Sequence, residues 1–558
     1  MLPICSVIVR RLRRREADET TARMTEPELD LGVSSGIRRD TVLVTLCTLL
    51  SRVTGFGRVV ATAAVLGSGV LGDVYQTANM IPNLMFELVA GGVLQAVLLP
   101  AFVAARREGG DRALSDATQA TAGVIVAGLA LVAVAGMALS PLFARLLLLS
   151  EPSSVITDMK LDVMVPMVLV FVPQLIFYGV AAVTSAALYA RGRFVAASLA
   201  PAVNNFIVIG ACVAFRAARG DTVADLDLSA VEFLLIAGGT TVGVLAFSLV
   251  PTWALHRAGV HWQPRWRPHH PAVRSMRTSF GWATLSIVGT LLPTATALAL
   301  GNGAPGGVAV FVYAFAFYVL PHALIAVTIA TTLTPRVANG WQAGKVDEVR
   351  VAVDNAMRLT VPLLVLAGAG MVALAWPLTR LVAGVGQTAS QGLAPIAHTL
   401  ASFGPGLLGY GVAFVMTRVL LALGDIRRAS VLMIAGAVMG VLLMAITSAV
   451  LSPADRAAAL AVGYGASQTV AAVLLTLRVH SLTGSMGAKR ILRVAGESLL
   501  AAAGAVVVMG WVVARFEPTR RAALGAFLVG GVAGVSAFAL IIALCRQREL
   551  LQRRRMSR

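Results

Sequence analysis

Two arginines lie inside an apolar segment near the start of the chain, where a charged side chain is costly. Arg52 and Arg58 belong to segment 41–66, and on a helix advancing 100° per residue they flank one polar stripe about 140° wide, roughly 9 Å apart along the axis. Guanidinium groups make strong, charge-assisted hydrogen bonds to phosphates. The pattern therefore predicts a polar cavity that binds a broad anionic headgroup. The stripe comprises Thr41, Thr45, Thr48, Ser51, Arg52, Gly55, Arg58 and Thr62.

An alternative stays open for these arginines. One or both could extend to the cytoplasmic interface or bond to backbone carbonyls. Arg52 lies thirteen residues beyond Arg39, the last arginine of the polar tail, and this depth favours the cavity.

A second apolar segment, 76–104, carries polar residues on one helical face. Gln76, Asn79, Asn83 and Glu87 are spaced by three, four and four residues. A carboxylate at this depth is expensive and is normally paired. Three roles for Glu87 stay open: it orients a cavity arginine, it carries a coupling proton or cation, or it forms a structural ion pair.

A third intramembrane arginine, Arg418, lies in segment 400–423. It is about a turn and a half from the basic end of that segment at 424–428. Extension toward the interface and ligand binding are both consistent with this position.

Signals of enzymatic chemistry are missing from the sequence. It contains no P-loop and no catalytic triad, and the four cysteines form neither a CxxC pair nor a Cys/His cluster. We expect no metal, no cofactor and no catalysis, so transport energy would come from a coupling cation, the membrane potential or the substrate gradient. The cysteines are Cys5, Cys47, Cys212 and Cys545.

The elements that must position these residues are membrane helices. The chain has 558 residues, 57% hydrophobic and 13% charged, whereas soluble domains are about 25% charged. Apolar runs of about 20 residues are the length that crosses a bilayer. The sequence therefore predicts an all-α polytopic membrane protein with 14 transmembrane helices. They lie near 41–66, 76–104, 117–144, 161–190, 195–215, 229–255, 278–300, 307–335, 359–379, 400–423, 429–451, 457–477, 494–514 and 522–545.

Lysine and arginine alternate between the predicted loops. One set of loops holds 34 of the 46 residues, and the opposite set holds nine. Because cytoplasmic loops carry the excess of positive charge, both termini are predicted to be cytoplasmic, in a multi-pass protein of the plasma membrane. The basic set comprises the N-terminal tail, 105–116, 191–194, 256–277, 336–358, 424–428, 478–493 and the C-terminal tail.

The net charge of +19 would suggest a nucleic-acid partner in a soluble protein. Segment 256–277 even interleaves tryptophan with arginine, as nucleic-acid-binding surfaces do. Juxtamembrane arginine and interfacial tryptophan in contact with anionic lipid account for it more simply. We therefore expect anionic membrane lipids as partners and no nucleic acid.

The sequence repeats itself at an offset of 232 residues. Residues 178–181 (YGVA) coincide with 410–413, and Leu188, Ala190, Gly192 and Ser198 find identical residues without a gap. Two pseudo-repeated six-helix lobes, spans 1–6 and 7–12, are predicted, with spans 13 and 14 outside the repeat. Two bundles around a shared cavity are typical of alternating-access transporters. The predicted organisation is a disordered basic cytoplasmic tail at 1–38, an N-lobe at 39–257, a C-lobe at 258–480 entered through the basic linker 256–277, spans 13 and 14 at 481–545, and a basic cytoplasmic tail at 546–558.

One stretch of the sequence resembles a known family. The chain is similar to the MurJ (MviN) family of lipid II flippases, within the multidrug/oligosaccharidyl-lipid/polysaccharide exporter superfamily, from about Thr41 onward. The residues that carry the resemblance are 51–58 (SRVTGFGR), then Gly67-Ser68-Gly69, Asp73, Ile81-Pro82-Asn83-Leu84 and Pro100.

The resemblance implies two six-helix lobes that open to either side and transfer an undecaprenyl-diphosphate-linked peptidoglycan precursor to the outer leaflet. It assigns substrate binding to Arg52, Arg58, Asp73 and Asn83. It also implies a groove for the polyprenyl tail on spans 13 and 14, and cell-wall synthesis or division proteins as partners. The candidate substrate-binding set is completed by Ser51, Glu87 and Arg418.

The chain departs from the family pattern at four places. Phe86 and Glu87 stand where two arginines are usual, Gly91 and Val59 replace acidic residues, and the eighth-span arginine falls on Ala316. The expected anion-binding set is thus concentrated in the N-terminal half. The competing functions are a flippase for another polyprenyl-linked glycan and an ion-coupled drug or solute antiporter. A non-transporting scaffold has no reason to bury the polar stripes on spans 1 and 2.

Overall fold

The computed structural model describes residues 31–88, 98–220, 222, 225–260, 262–382, 384, 386–484 and 488–556. The first part of the chain forms nine α-helices, of which the last two are joined by the π-helical segment Leu234–Gly238. They are α1 (Leu31–Leu66), α2 (Val70–Phe86), α3 (Leu99–Ala138), α4 (Ser140–Leu147), α5 (Ser154–Phe171), α6 (Gln174–Ala190), α7 (Val195–Arg219), α8 (Ala230–Phe233) and α9 (Gly239–Arg257).

The second part of the chain is also helical, and no β-strand occurs among the described residues. The π-helical segment Ala323–Val327 joins its second and third helices. These helices are α10 (Pro271–Gly301), α11 (Gly307–His322), α12 (Thr328–Gln342), α13 (Val346–Ala373), α14 (Ala375–Val382), α15 (Gly386–Gln391), α16 (Ala394–Phe403), α17 (Gly406–Ala422), α18 (Ile426–Val450), α19 (Arg456–Thr483), α20 (Ala488–Val513) and α21 (Arg520–Met556).

The prediction of an all-helical, multi-pass membrane protein is confirmed. Within the described ranges, 11 helical segments are long and apolar enough to cross a membrane, and α16 with α17, bent by 48°, makes a twelfth. These twelve coincide with the predicted spans except 76–104 and 278–300. The first of these two includes 89–97, which lies outside the described residues, and the side chains of 278–284 in the second lie outside them as well.

Three helices extend into segments that the sequence assigned to tails or loops. Helix α1 begins at Leu31 and α21 continues to Met556, inside the predicted tails; residues 1–30 are not described. A helix of 36 residues is about 54 Å long, well beyond the roughly 30 Å hydrocarbon core, so α1 must project past the membrane. Helix α3 runs through the predicted loop 105–116 and is broken only at Gly109 and Gly110.

The predicted repeat is present in the backbone. Helices α6 and α17 both have 17 residues, and each follows a proline N-cap, Pro173 and Pro405, 232 residues apart. Both end on a glycine with positive φ, 72° at Gly192 and 80° at Gly424. This conformation is one that glycine adopts without a steric penalty. The sequence identity at this offset therefore reflects a shared helix-to-helix connection.

Buried apolar residues form separate cores in the two halves. Two clusters take their buried members only from residues 65–272, and two others only from 297–479. Helix α20 packs against α13, and α21 packs against α14 and α20. A further core cluster joins Val361 and Val365 to Ala505 and Phe538, so the last two helices attach to the second half.

Candidate functional site

Asp73 connects the two halves of the molecule at one end of the helices. Its Oδ2 accepts a hydrogen bond from the N–H of Gly306 at 2.7 Å, and its Oδ1 accepts from the N–H groups of Val308 at 3.0 Å and Ala309 at 2.8 Å. The side chain is completely buried. First-turn amides have no acceptor within their own helix, and a helix N-terminus carries partial positive charge. The carboxylate of α2 therefore caps α11 across the interface between the halves.

Two more hydrogen bonds join the halves at the same end. The N–H of Ser68 donates to Oε1 of Gln391 at 2.6 Å, and the hydroxyl of Tyr313 donates to the carbonyl of Gly67 at 2.9 Å. The turns that carry these residues belong to the set of loops poor in lysine and arginine, which the charge pattern places outside the cell. We call this set of contacts the gate: Gly67, Ser68 and Asp73 from the first half with Gly306, Val308, Ala309, Tyr313 and Gln391 from the second.

A buried lysine reinforces the gate from α5. The ammonium of Lys160 pairs with Oε2 of Glu151 at 2.7 Å and donates to the carbonyl of Asn302 at 3.2 Å. The Lys160 side chain is 1% exposed, and Nδ2 of Asn302 in turn donates to the hydroxyl of Thr77 at 3.2 Å. Removing one partner of a buried ion pair leaves an uncompensated charge, at a cost of about 3–5 kcal/mol. This pair therefore holds the turn after α10 against the first half.

Gly306 is the position where the gate requires glycine. Its φ is 76°, in the left-handed region, and a Cβ added there would lie 2.0 Å from the carbonyl oxygen of Ser68. Any side chain would both strain the backbone and push the halves apart. The glycine-rich stretch 301–307 is a turn between two membrane helices, as the sequence predicts, and it is also where the halves meet.

The two arginines of the first span lie on α1 at different exposures. Arg52 is exposed and Arg58 is half-buried. The charge of Arg58 acts on the tyrosines Tyr75 and Tyr178 in the first half, whereas that of Arg52 acts on His322 in the second half. The two arginines therefore face different surroundings, and Arg52 faces across to the opposite half.

Glu87 follows α2 and also faces the second half. It is exposed, and its electrostatic contact is with Tyr410 of α17. Among the described residues, no acidic or basic group within 4 Å forms an ion pair with Glu87, Arg52, Arg58 or Arg418. These four charges are thus available to a ligand in this conformation.

The second half presents aromatic rings and one histidine to the same region. His322 stacks on Tyr410 with ring centroids 3.9 Å apart and meets Phe414 edge-on at 5.1 Å. Arg418 lies over the ring of Phe414 at 5.1 Å. His322 is 4% exposed, and its Nδ1 is buried without a hydrogen-bond partner among the described residues. An unpaired buried nitrogen is costly, and such exceptions often mark sites of function.

Two candidate residues contact their own surroundings in the first half. The carbonyl of Ser51 accepts a hydrogen bond from Nδ2 of Asn205 at 3.3 Å. Nδ2 of Asn83 donates to the carbonyl of Asn79, one turn earlier, at 3.1 Å. Both residues are half-buried. Their contact with substrate stays a prediction.

The candidate residues divide between two places. Asp73 lies in the gate with both oxygens occupied, while Arg52, Arg58, Glu87 and Arg418 lie away from it. The sequence argument missed Lys160, His322 and Tyr410. A signal was available for Tyr410, because the repeat aligns it with Tyr178, which packs between Phe86 and Phe247 at 5.2 Å and 6.0 Å. A buried lysine in the fourth span was a second unused signal.

Comparison with known proteins decides the family. Residues 62–529 match the sequence profile described as "Lipid II flippase MurJ". The chain belongs to this family. The resemblance seen in the first spans is therefore confirmed over most of the chain, and MurJ family membership makes the protein a membrane transporter and not an enzyme.

Curated relatives agree with this assignment. A "Probable lipid II flippase MurJ" of Rhizobium meliloti is 27% identical over 361 residues, which are 64% of this chain and 66% of the relative. The "Lipid II flippase MurJ" of Burkholderia cenocepacia is 25% identical over 373 residues, 65% of this chain and 69% of that protein. The chain thus spans about two thirds of the length of these MurJ relatives.

Solved structures share the fold. A structure described as "Lipid II flippase MurJ, inward closed conformation" has a TM-score of 0.68 at 17% identity and covers 91% of this chain and 100% of its own. An inward-facing multidrug resistance MATE family transporter of the MOP superfamily has a TM-score of 0.62 at 14% identity, over 78% of this chain and 95% of its own. The fold is therefore MurJ-like, within an architecture that MATE transporters also use.

Proposed function

We propose that the chain carries the undecaprenyl-diphosphate-linked peptidoglycan precursor, lipid II, from the cytoplasmic to the outer leaflet of the plasma membrane. One observation carries this proposal beyond family membership. The gate is closed by buried hydrogen bonds at the end predicted to be extracytoplasmic, while Arg52 and Glu87 are exposed away from it. An anionic headgroup arriving from the cytoplasm would therefore meet unpaired charge and a closed exit.

The transport cycle in this proposal is a rocking of two lobes. Spans 1–6 and 7–12 form the lobes, spans 13 and 14 complete a set of fourteen, and both termini are cytoplasmic. The separate cores support this division, because each half can move as a body without opening its own interior. Opening outward would require the gate to break and cytoplasmic contacts to form.

Substrate recognition begins with the diphosphate. Arg52 and Arg58 would donate charge-assisted hydrogen bonds to its oxygens, with Ser51 and Asn83 at the sides of the same path. From the other half, Arg418 would contribute charge, and the rings of His322 and Tyr410 would contact sugar or peptide. The polyprenyl tail would lie along α20 and α21, on the outside of the second half.

Asp73 has a different part in this cycle. Its carboxylate would hold the gate closed until substrate is bound, because all its described hydrogen bonds go to backbone amides of the opposite half. Contact between Asp73 and substrate belongs to the outward-open state, in which those amides are no longer neighbours.

The experiment that tests the proposed function is depletion of the protein in its native cell, with analysis of the polyprenyl-linked precursors that accumulate. We expect lipid II to accumulate in the cytoplasmic leaflet and to clear when the wild-type chain is restored. A chain with Phe206→Leu, a change at a residue that is 55% exposed on α7, serves as the matched control and should restore clearance. Accumulation of another polyprenyl-linked glycan would contradict lipid II as substrate. Unchanged precursors with altered drug sensitivity would favour the antiporter.

A further inference from the structure

A pocket of about 880 Å³ lies between α7 and α9, apart from the gate and from the charged residues of the cavity. Its walls are apolar along both helices, and the segment that follows α9 closes one end. This volume is in the range of pockets that hold a small ligand. We call it the interfacial pocket; it is lined by Leu199, Val203, Ala246, Leu249, Val250, Thr252, Trp253, His256, Trp262 and Gln263.

The position of the interfacial pocket along the helices indicates its depth in the membrane. Its lining on α9 runs from Ala246 to His256, which is about 15 Å of helix. That is half of the roughly 30 Å hydrocarbon core, so the pocket spans one leaflet. The basic segment 256–277 follows directly, which places the pocket in the cytoplasmic leaflet.

The rim of the interfacial pocket is aromatic and positively charged. Trp253 is 58% exposed, and the guanidinium of Arg257 lies 4.2 Å from the centre of its ring. Segment 256–277 contains five arginines and neither Asp nor Glu. Among the described residues, Arg257 and Arg265 form no ion pair, whereas Arg267 pairs with Asp116 of α3. The rim is therefore complementary to an anion at headgroup depth.

The segment that closes the pocket is fixed in place. The N–H of Arg265 donates to the carbonyl of Gln119 at 3.0 Å, and an added Cβ at Gly123 would lie 2.1 Å from the carbonyl oxygen of Arg265. The backbone of the segment thus lies directly on α3. Trp262 packs against the adjacent apolar core. The pocket is therefore preformed, which reduces the entropic cost of binding.

We propose that the interfacial pocket binds one acyl chain of an anionic phospholipid of the cytoplasmic leaflet, with the lipid phosphate at the rim beside Arg257. Apolar walls one leaflet deep match an acyl chain, and the acid-free basic rim matches a phosphate that carries net negative charge. A bound lipid would join α7, α9 and the linker between the lobes. Anionic phospholipid is thus a specific ligand of the first half, separate from the transported substrate.

The test is native mass spectrometry of the purified full chain, titrated separately with phosphatidylglycerol, phosphatidylcholine and undecaprenyl phosphate. We expect one phosphatidylglycerol to be retained about fivefold more tightly than phosphatidylcholine, the factor that one arginine near anionic lipid contributes. Ala246→Phe, which fills the pocket, should abolish this retention, and Arg257→Gln should remove the preference but not the binding. The matched control is Val242→Phe, one turn earlier on α9, where the side chain is 53% exposed and outside the pocket.

Two outcomes would overturn the proposal. Equal lipid retention by Ala246→Phe and Val242→Phe would show that the pocket holds no specific lipid. Tighter retention of undecaprenyl phosphate than of phosphatidylglycerol, lost in Ala246→Phe, would assign the pocket to the substrate tail instead. If Ala246→Phe does not fold, Val203→Phe fills the same pocket from α7 and gives the same reading.

Discussion

Oδ2 of Asp73 and the backbone N–H of Gly306 lie 2.7 Å apart, and this bond crosses from the first half of the chain to the second. Two further amides of α11 bind the other carboxylate oxygen. A single buried side chain thus satisfies three backbone donors that would otherwise be unpaired when the gate is closed. Hydrogen bonds to a charged group contribute about 1.5–3 kcal/mol each, so Asp73 is a large part of what keeps the halves together at this end.

Asp73→Ala is expected to open the gate. Three buried amides lose their acceptor at about 1–3 kcal/mol each, so the closed population should fall at least tenfold. A cysteine at Ser68 should then react faster with a membrane-impermeant maleimide added outside the cell. Asp73→Asn, which keeps one acceptor oxygen, should give an intermediate rate. Unchanged labelling in both variants would show that Asp73 does not hold the gate.

Arg52→Ala and Arg58→Ala are each expected to abolish transport while leaving abundance and membrane insertion intact. A diphosphate in a cavity of low dielectric constant needs charge-assisted hydrogen bonds, and each one lost costs about 1.5–3 kcal/mol, or roughly tenfold to a hundredfold. Lysine at either position should retain part of the activity, since it keeps the charge but not the planar pair of donors. Complementation of depleted cells is the measurement. Full complementation by both alanine variants would contradict the substrate site.

The role of Glu87 can be separated by two substitutions. If it orients an arginine or carries a coupling proton, Glu87→Gln should reduce transport or flatten its pH profile, and Glu87→Asp should do so less. The structural ion pair considered from the sequence is not observed among the described residues, so a loss of folded protein is not expected. Transport that is indifferent to Glu87→Gln at every pH tested would remove Glu87 from the mechanism.

His322→Leu is expected to reduce transport more than Tyr410→Phe does. The first change removes the imidazole nitrogens from the wall that faces Arg52, whereas the second removes only a hydroxyl and keeps the ring that stacks at 3.9 Å. Purified variants should retain the thermal stability of the wild type to within a few degrees, since both substitutions preserve apolar bulk. Equal activity of His322→Leu and wild type in proteoliposomes would show that the second half recognises substrate without this histidine.

Some of this architecture was readable from the sequence because its signals are local. Hydropathy over 20 residues identifies a membrane helix, and Gly192 and Gly424 terminate equivalent helices through the same backbone conformation. The polar stripe that includes Arg52 and Arg58 follows from helical periodicity alone. Each of these patterns depends on neighbours within a few turns.

The gate could not be predicted in the same way. Asp73 meets Gly306 across 233 positions in the sequence, and the fit depends on how a glycine turn packs against the opposite half. His322 and Tyr410 meet only because two helices of the second half cross at that level. The first half of Lys160's role, its charge in an apolar span, was visible; its partner Asn302 was not.

The most direct test of alternating access is a reversible lock on the gate. Cysteines at Ser68 and Gln391, whose backbone and side chain are hydrogen-bonded at 2.6 Å, would be joined by a short cross-linker that thiols cleave. Gly303 is less suitable than the sequence suggests, because an added Cβ there lies 2.5 Å from the carbonyl oxygen of Ser150.

Transport of lipid II in proteoliposomes would be measured before cross-linking, after it and after reduction, with each single-cysteine variant as a control. We predict that transport falls to background on cross-linking and returns on reduction, while the single-cysteine variants stay active throughout. A cross-link that forms completely and leaves transport unchanged would contradict the rocking of the two halves about this gate.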